Sequence, residues 1–319
     1  IFYDDALDYP LPLAGVNYLA LDLRGSGNQL NAFFAGALLT VDFADPRFRG
    51  SKFDVGADLF ALAIPVSDEL YRGEDKVEAE TVELRTANVG FKVGRPLGNF
   101  VKLNAEYSIL SFNYGEADDT SGDFVVPSDN LLHAFDLGAT FARSGYRFSV
   151  SGSYARRSEW EFWGLPGNTE FSEDHQDFLR WEARASKNWY LPNFQKIGFE
   201  VDYASGSDLD RFSKYQFGFF GGTRVHGYQS GKVRAEDVIA SHLSYGFEVG
   251  QAFRIEAVGD VAWATDEAGG LDNELLGGVG LVGTLIGPWQ TIVNLDVGVP
   301  VAGPDDGFVA YIVFLKLFK

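Results

Sequence analysis

The sequence predicts an all-β chain: a transmembrane antiparallel β-barrel of about 14 strands, with 12 and 16 as the neighbouring even counts, and one long loop folded inward. Three observations lead there. Run after run alternates apolar and polar residues with a period of two, which is a strand pattern rather than a helical one. The connections alternate between tight and long, so that one end is trim and the other ragged. Aromatic residues reach 15% and glycines number 37, while no apolar run attains the roughly 18 to 20 residues of a spanning helix.

The alternation can be counted from the start. Expected strands lie at 15–24, 29–42, 52–65, 81–94, 100–113, 132–143 and 146–158, then at 178–191, 195–206, 237–249, 252–265, 274–286, 289–300 and 307–318. In 146–157 one face carries Tyr146, Phe148 and Val150, and the other Arg147, Ser149 and Ser151. In 195–204 Ile197, Phe199, Val201 and Tyr203 oppose Lys196, Glu200 and Asp202. Fourteen strands make a barrel too wide for side chains to fill, so the charged face is expected to meet a wet lumen and the apolar face lipid. Phe148, Phe199 and Val201 should then lie outside, with Glu200 and Asp202 inside. The C-terminal run FVAYIVFLKLFK, residues 308–319, is an apolar closing strand of the same kind.

Charge and composition exclude several classes. The formal net charge of -19 opposes a nucleic-acid partner, because phosphate neutralisation needs clustered Lys and Arg. Much of the acid lies at 67–80, 113–130 and 158–177, outside any hydrophobic period, and these stretches read as solvated loops. Without cysteine there is no disulfide framework or thiolate metal site. HExxH and GxSxG are absent, and the four histidines are His133, His175, His226 and His242. His175, between acids in EDHQD, and the pair Glu200 and Asp202 read as solvated groups rather than catalysts. No enzyme, cofactor or metal is expected. Residues 1–14 read as a short periplasmic segment ahead of a barrel at 15–319, in a mature chain whose leader was removed or in a trimmed one.

One loop stands apart, FFGGTRVHGYQSG at 219–231. Its core, Gly221, Gly222, Arg224, Val225, His226, Gly227 and Tyr228, resembles the loop motif of the BamA-like superfamily. There a glycine pair precedes a Val-Arg-Gly-Tyr or Val-Arg-Gly-Phe tetrad. Five expected strands follow the loop, as in that superfamily. VGDVA at 258–262 resembles its acidic strand motif, 277–300 its glycine-rich strand and Gly-Pro turn, and 15–36 its opening hairpin.

The resemblance implies a bacterial outer-membrane barrel that inserts or translocates polypeptide, with lipid around it and a protein client or partner subunit. It also implies that the loop docks on the inner wall through a charge-assisted contact. Alternation offers Glu248, Glu256 and Asp260 as wall partners. His226 occupies the tetrad's arginine position, so Arg224, two residues earlier, is the expected substitute. The superfamily's upstream transport-associated domains are not expected in the 14 residues before the first strand. A passive pore or scaffold is the rival reading, and a barrel enzyme a weaker one.

Overall fold

The computed structural model describes residues 15–72, 75–218, 223–250, 252–287, 291–304 and 307–316; the expected segment 1–14 lies outside them. In chain order the strands are β1 Val16–Ala20, β2 Gln29–Ala35, β3 Leu38–Asp45, β4 Asp54–Leu62, β5 Val66–Asp68, β6 Tyr71–Arg72 and β7 Asp75–Lys76. Then come β8 Val82–Leu97, β9 Val101–Glu116, β10 Asn130–Arg143, β11 Tyr146–Arg157, β12 Asp177–Leu191 and β13 Gln195–Ser207. The last are β14 Tyr215–Gln216, β15 Arg234–Ala235, β16 Asp237–Val249, β17 Phe253–Asp266, β18 Leu271–Gly287, β19 Thr291–Ala302 and β20 Val309–Lys316.

Sixteen of these form one antiparallel sheet whose strands follow in chain order except that β5 lies off that path, while β6–β7 and β14–β15 are separate two-stranded ladders. Both β4 and β5 pair with β8, so β5 prolongs the line of β4. Among the described residues no ladder joins β1 to β20.

The count of fourteen is too low. The expected strand at 29–42 is two strands, β2 and β3, paired as a hairpin with Ala35 opposite Leu38. Gly36 supplies the left-handed turn residue, with φ +62°. The apolar run around it, FFAGALLT, hides a turn that polar neighbours would have advertised.

Exposure is inverted relative to a water-soluble protein. Phe148 is 48% exposed and Phe199 40%, whereas Asp202 and Asp260, on the opposite parity, are buried. An apolar outer skin over buried carboxylates is costly in water and favourable in hydrocarbon.

At one end the turns are tight: 98–100, 144–145 and 192–194. Ser144 and Gly145 both have positive φ, at 48° and 80°, the two-residue turn that matches strand twist. At the other end the long acidic loops are not merely solvated, a correction to the reading from charge alone. Val82, Phe124 and Trp163 are buried together, and the Phe212 ring packs 5.1 Å from Tyr114 and 5.0 Å from Trp163. Buried ion pairs tie the same loops: Arg211 to Asp68 at 2.6 Å, Arg234 to Asp68 at 2.8 Å and Arg157 to Asp210 at 2.7 Å. These connections form a packed cap.

Candidate functional site

The connection 208–236 between β13 and β16 leaves the cap and returns along the inner wall. Its root is fixed by Arg211, whose guanidinium also donates to the Glu80 and Asp68 carbonyls at 2.7 Å each. Below the root the two rungs of β14 and β15 hold the descending and ascending limbs together. Tyr215, Phe217, Val225 and Tyr228 of the loop are buried against inward alanines of the wall, among them Ala204, Ala240, Ala262 and Ala264. Small wall side chains make room for large loop ones, which end up fully buried.

The tip lands where the wall loses its side chains altogether. A Cβ at Gly278 or Gly280 of β18 would run into His226, and one at Gly298 of β19 would run into His226 and Gly227. Gly227 itself has φ +92° and lies against the backbone of Val299 and Pro300, so it answers both a backbone and a steric demand. Tyr228 donates its hydroxyl to the Ala302 carbonyl. Gly221 and Gly222, the glycine pair of the motif, lie outside the described residues.

Charge completes the dock. The His226 backbone N–H donates to Asp260 Oδ2 at 2.8 Å, and its ring Nδ1 shares a hydrogen bond with the same oxygen. His226 Nε2 stands 3.6 Å from Asp296 Oδ1, and Arg224 pairs with Asp296 Oδ2. On the far side of Asp260, His242 Nδ1 lies 3.0 Å from Oδ1, while His242 Nε2 lies 3.0 Å from Asp202. Arg184 then pairs with Asp202 and stands 3.6 Å from Glu200. Cations and carboxylates thus alternate from β12 to β19 as Arg184, Asp202, His242, Asp260, His226, Asp296 and Arg224.

An imidazole with a carboxylate at each nitrogen satisfies both only when both nitrogens carry protons. With both histidines protonated and Glu200 included, four cations face four carboxylates. Glu200, Asp202 and His242 could also converge on a cation, their ligand atoms lying within 4.8 Å of one another, but Arg184 already stands against both carboxylates.

Of the expected wall partners, the structure brings Asp260 to the loop. Glu256 instead lies 3.5 Å from Arg254, and Glu248 is exposed nearer the tight turns. Arg224 and His226 both reach acids of the wall, Arg224 at Asp296 and His226 at Asp260. Sequence reasoning missed Asp296 and His242; their signal was inward parity, His242 on β16 beside the strand carrying Asp260 and Asp296 on β19, one strand beyond β18. His133 sits apart, bonded to Tyr107 at 2.8 Å, and His175 lies in the cap.

His226 gives the dock a pH dependence. Burial works against its imidazolium, but the hydrogen bond to Asp260 and the nearby Asp296 carboxylate outweigh burial and hold its pKa above the ordinary 6.5, while Arg224 pulls the other way. A histidine raised in the folded state contributes stability that is complete below its unfolded pKa and is lost as pH rises through the folded value. Raising the pH from 6 to the alkaline side should therefore lower the Tm in detergent more for the wild type than for His226→Gln. Parallel pH profiles for the two proteins would refute it.

No family model and no curated protein sequence matches the chain. Solved structures do. The crystal structure of BamA from Haemophilus ducreyi lacking POTRA domains 1-3 matches with a TM-score of 0.58 at 12% identity, covering 94% of this chain and 69% of that one. CdiB from Acinetobacter baumannii matches at 0.56 and 11%, covering 90% of this chain and 53% of that one. CdiB from Escherichia coli matches at 0.58 and 14%, covering 91% and 56%. The chain spans little more than half the length of either CdiB. At these identities the likeness is one of fold: this chain shares the antiparallel β-sheet architecture of the BamA and CdiB structures.

Proposed function

We propose that the chain is the membrane-spanning barrel of a bacterial outer-membrane protein of the BamA and CdiB kind, acting in insertion or secretion of polypeptides with a client or partner protein. The observation that carries this reading is the docked tip. Arg224, Val225, His226, Gly227 and Tyr228 sit on a glycine-cleared lane of β18 and β19 and on the acids of β17 and β19. A passive channel needs no such fitted lane, and a loop packed along the inner wall beneath a packed cap opposes free ion flow.

Two measurements test it together. Reconstituted into liposomes, the wild type should speed folding or translocation of an unfolded client over empty liposomes, and excising 213–233 should abolish that effect. In planar bilayers the wild type should carry little current, and the excised form should conduct with cation preference, since carboxylates are left lining the lumen. A large steady wild-type conductance without any effect on the client would turn the assignment to a passive pore.

A further inference from the structure

The outer skin is not uniform, and its departure from uniformity lies at the tight-turn end. On β8 the residues that face outward, Phe91 and Val93, are joined near the turn by Arg95 on the same parity. On β10 Leu137 and Phe141 are followed by Arg143, and on β12 Lys187 precedes Trp189. Each cation is set over an aromatic ring of a neighbouring strand or turn. Arg95 lies 5.1 Å from the Phe53 ring centroid, Arg143 4.9 Å from that of Phe100, and Lys187 3.5 Å from that of Tyr146. Lys187 also donates to the Ser144 carbonyl at 2.9 Å, which fixes its head beside the turn.

Across the turn-ward halves of β8 to β13 no carboxylate shares that outward face: Glu106, Asp136 and Glu200 all lie on the inward parity. This is a chain of net charge -19 whose opposite end carries Asp118, Asp119, Asp123 and Asp129 in one loop. A carboxylate-free cationic rim on so acidic a chain calls for an anionic neighbour. The geometry also says what kind. Long cationic side chains that run along an apolar skin and end beside aromatic rings place their charge at headgroup depth. A guanidinium stacked on a ring keeps its edge for the oxygens of a phosphate.

We infer that the rim of Arg95, Arg143 and Lys187 binds the phosphates of anionic phospholipids in the leaflet at the tight-turn end of the barrel. The inference rests on the membrane reading above, but its failure is separable from that reading's failure. The apolar skin supplies insertion, and the rim supplies choice among lipids. The rim spans β8 to β12, away from the edge strands β1 and β20, so it sets the depth and tilt of the middle of the wall.

The test is native mass spectrometry of the detergent-purified chain titrated with phosphatidylglycerol or phosphatidylcholine. The wild type should retain phosphatidylglycerol in preference, and each of Arg95→Gln, Arg143→Gln and Lys187→Gln should lower that preference about fivefold. Arg95→Lys and Arg143→Lys, which keep the charge, should preserve most of it. Glycerol phosphate at the same concentration should not compete. An unchanged preference in the triple glutamine variant, or in single variants should the triple not fold, would overturn the inference. Equal wild-type retention of both lipids would also overturn it, as would full competition by glycerol phosphate, which would mark a site for a soluble anion. A chain that stays in solution without detergent and takes up no lipid of either charge would overturn the membrane reading as well.

Discussion

Asp260→Ala is expected to release the loop tip and to cost about 3 to 5 kcal/mol of stability, the range for breaking a buried charge pair from one side. Asp260 is 3% exposed and serves three donors at once: the backbone N–H of His226, its ring Nδ1, and Nδ1 of His242. Its loss leaves Asp202 and Asp296 as the carboxylates facing two imidazoles, so the region must shed a proton or let the loop go. Asp260→Asn separates the two contributions, because the amide keeps one acceptor and drops the charge; it should fall between wild type and alanine. Trypsin provides the readout. Arg224 pairs with Asp296 of β19 beside the docked His226, and cleavage after it requires the loop to leave. Wild type should resist, Asp260→Ala should be cut, and an uncut alanine variant with an unchanged Tm would remove Asp260 from the dock.

The sheet was legible because alternation reports only which face a side chain takes, and that is settled strand by strand. The approximate positions of β8 to β13 and β16 to β19 follow from it directly. Gly36 was missed because the period-two pattern runs through its turn without a polar interruption. The loop motif was legible as a string, yet its partners were not, since parity places Glu248, Glu256 and Asp260 on the same face and says nothing about depth. Depth is set by where the glycines at 278, 280 and 298 let the tip approach, a property of two adjacent strands. The acidic loops were misjudged for a related reason: charge counts conceal how few aromatics, Phe124, Trp163 and Phe212 among them, are needed to seal a cap once arginines neutralise the carboxylates beside them.

The cap yields the second large expectation, Asp68→Ala. Asp68 Oδ1 accepts from Arg211 at 2.8 Å and its Oδ2 from Arg234 at 2.8 Å, and both guanidiniums are buried. Removing the carboxylate strands two cations, so a loss of about 3 to 5 kcal/mol is expected from the uncompensated charge. Adding Arg211→Met should recover part of that loss, since one stranded charge is gone and an apolar stem remains. The recovery must be incomplete: Arg234 still lacks its acid, and the Arg211 hydrogen bonds to the carbonyls of Asp68 and Glu80 are lost. Arg211 adjoins Phe212, the ring that fills the gap between Tyr114 and Trp163, so loosening the pair should also unseat the aromatic seal. Brief current openings in planar bilayers would then appear in Asp68→Ala before any loss of strand content by circular dichroism. Openings that track strand loss instead would mean that the cap and the sheet unfold as one unit, and that the buried ion pairs stabilise the whole wall rather than its lid.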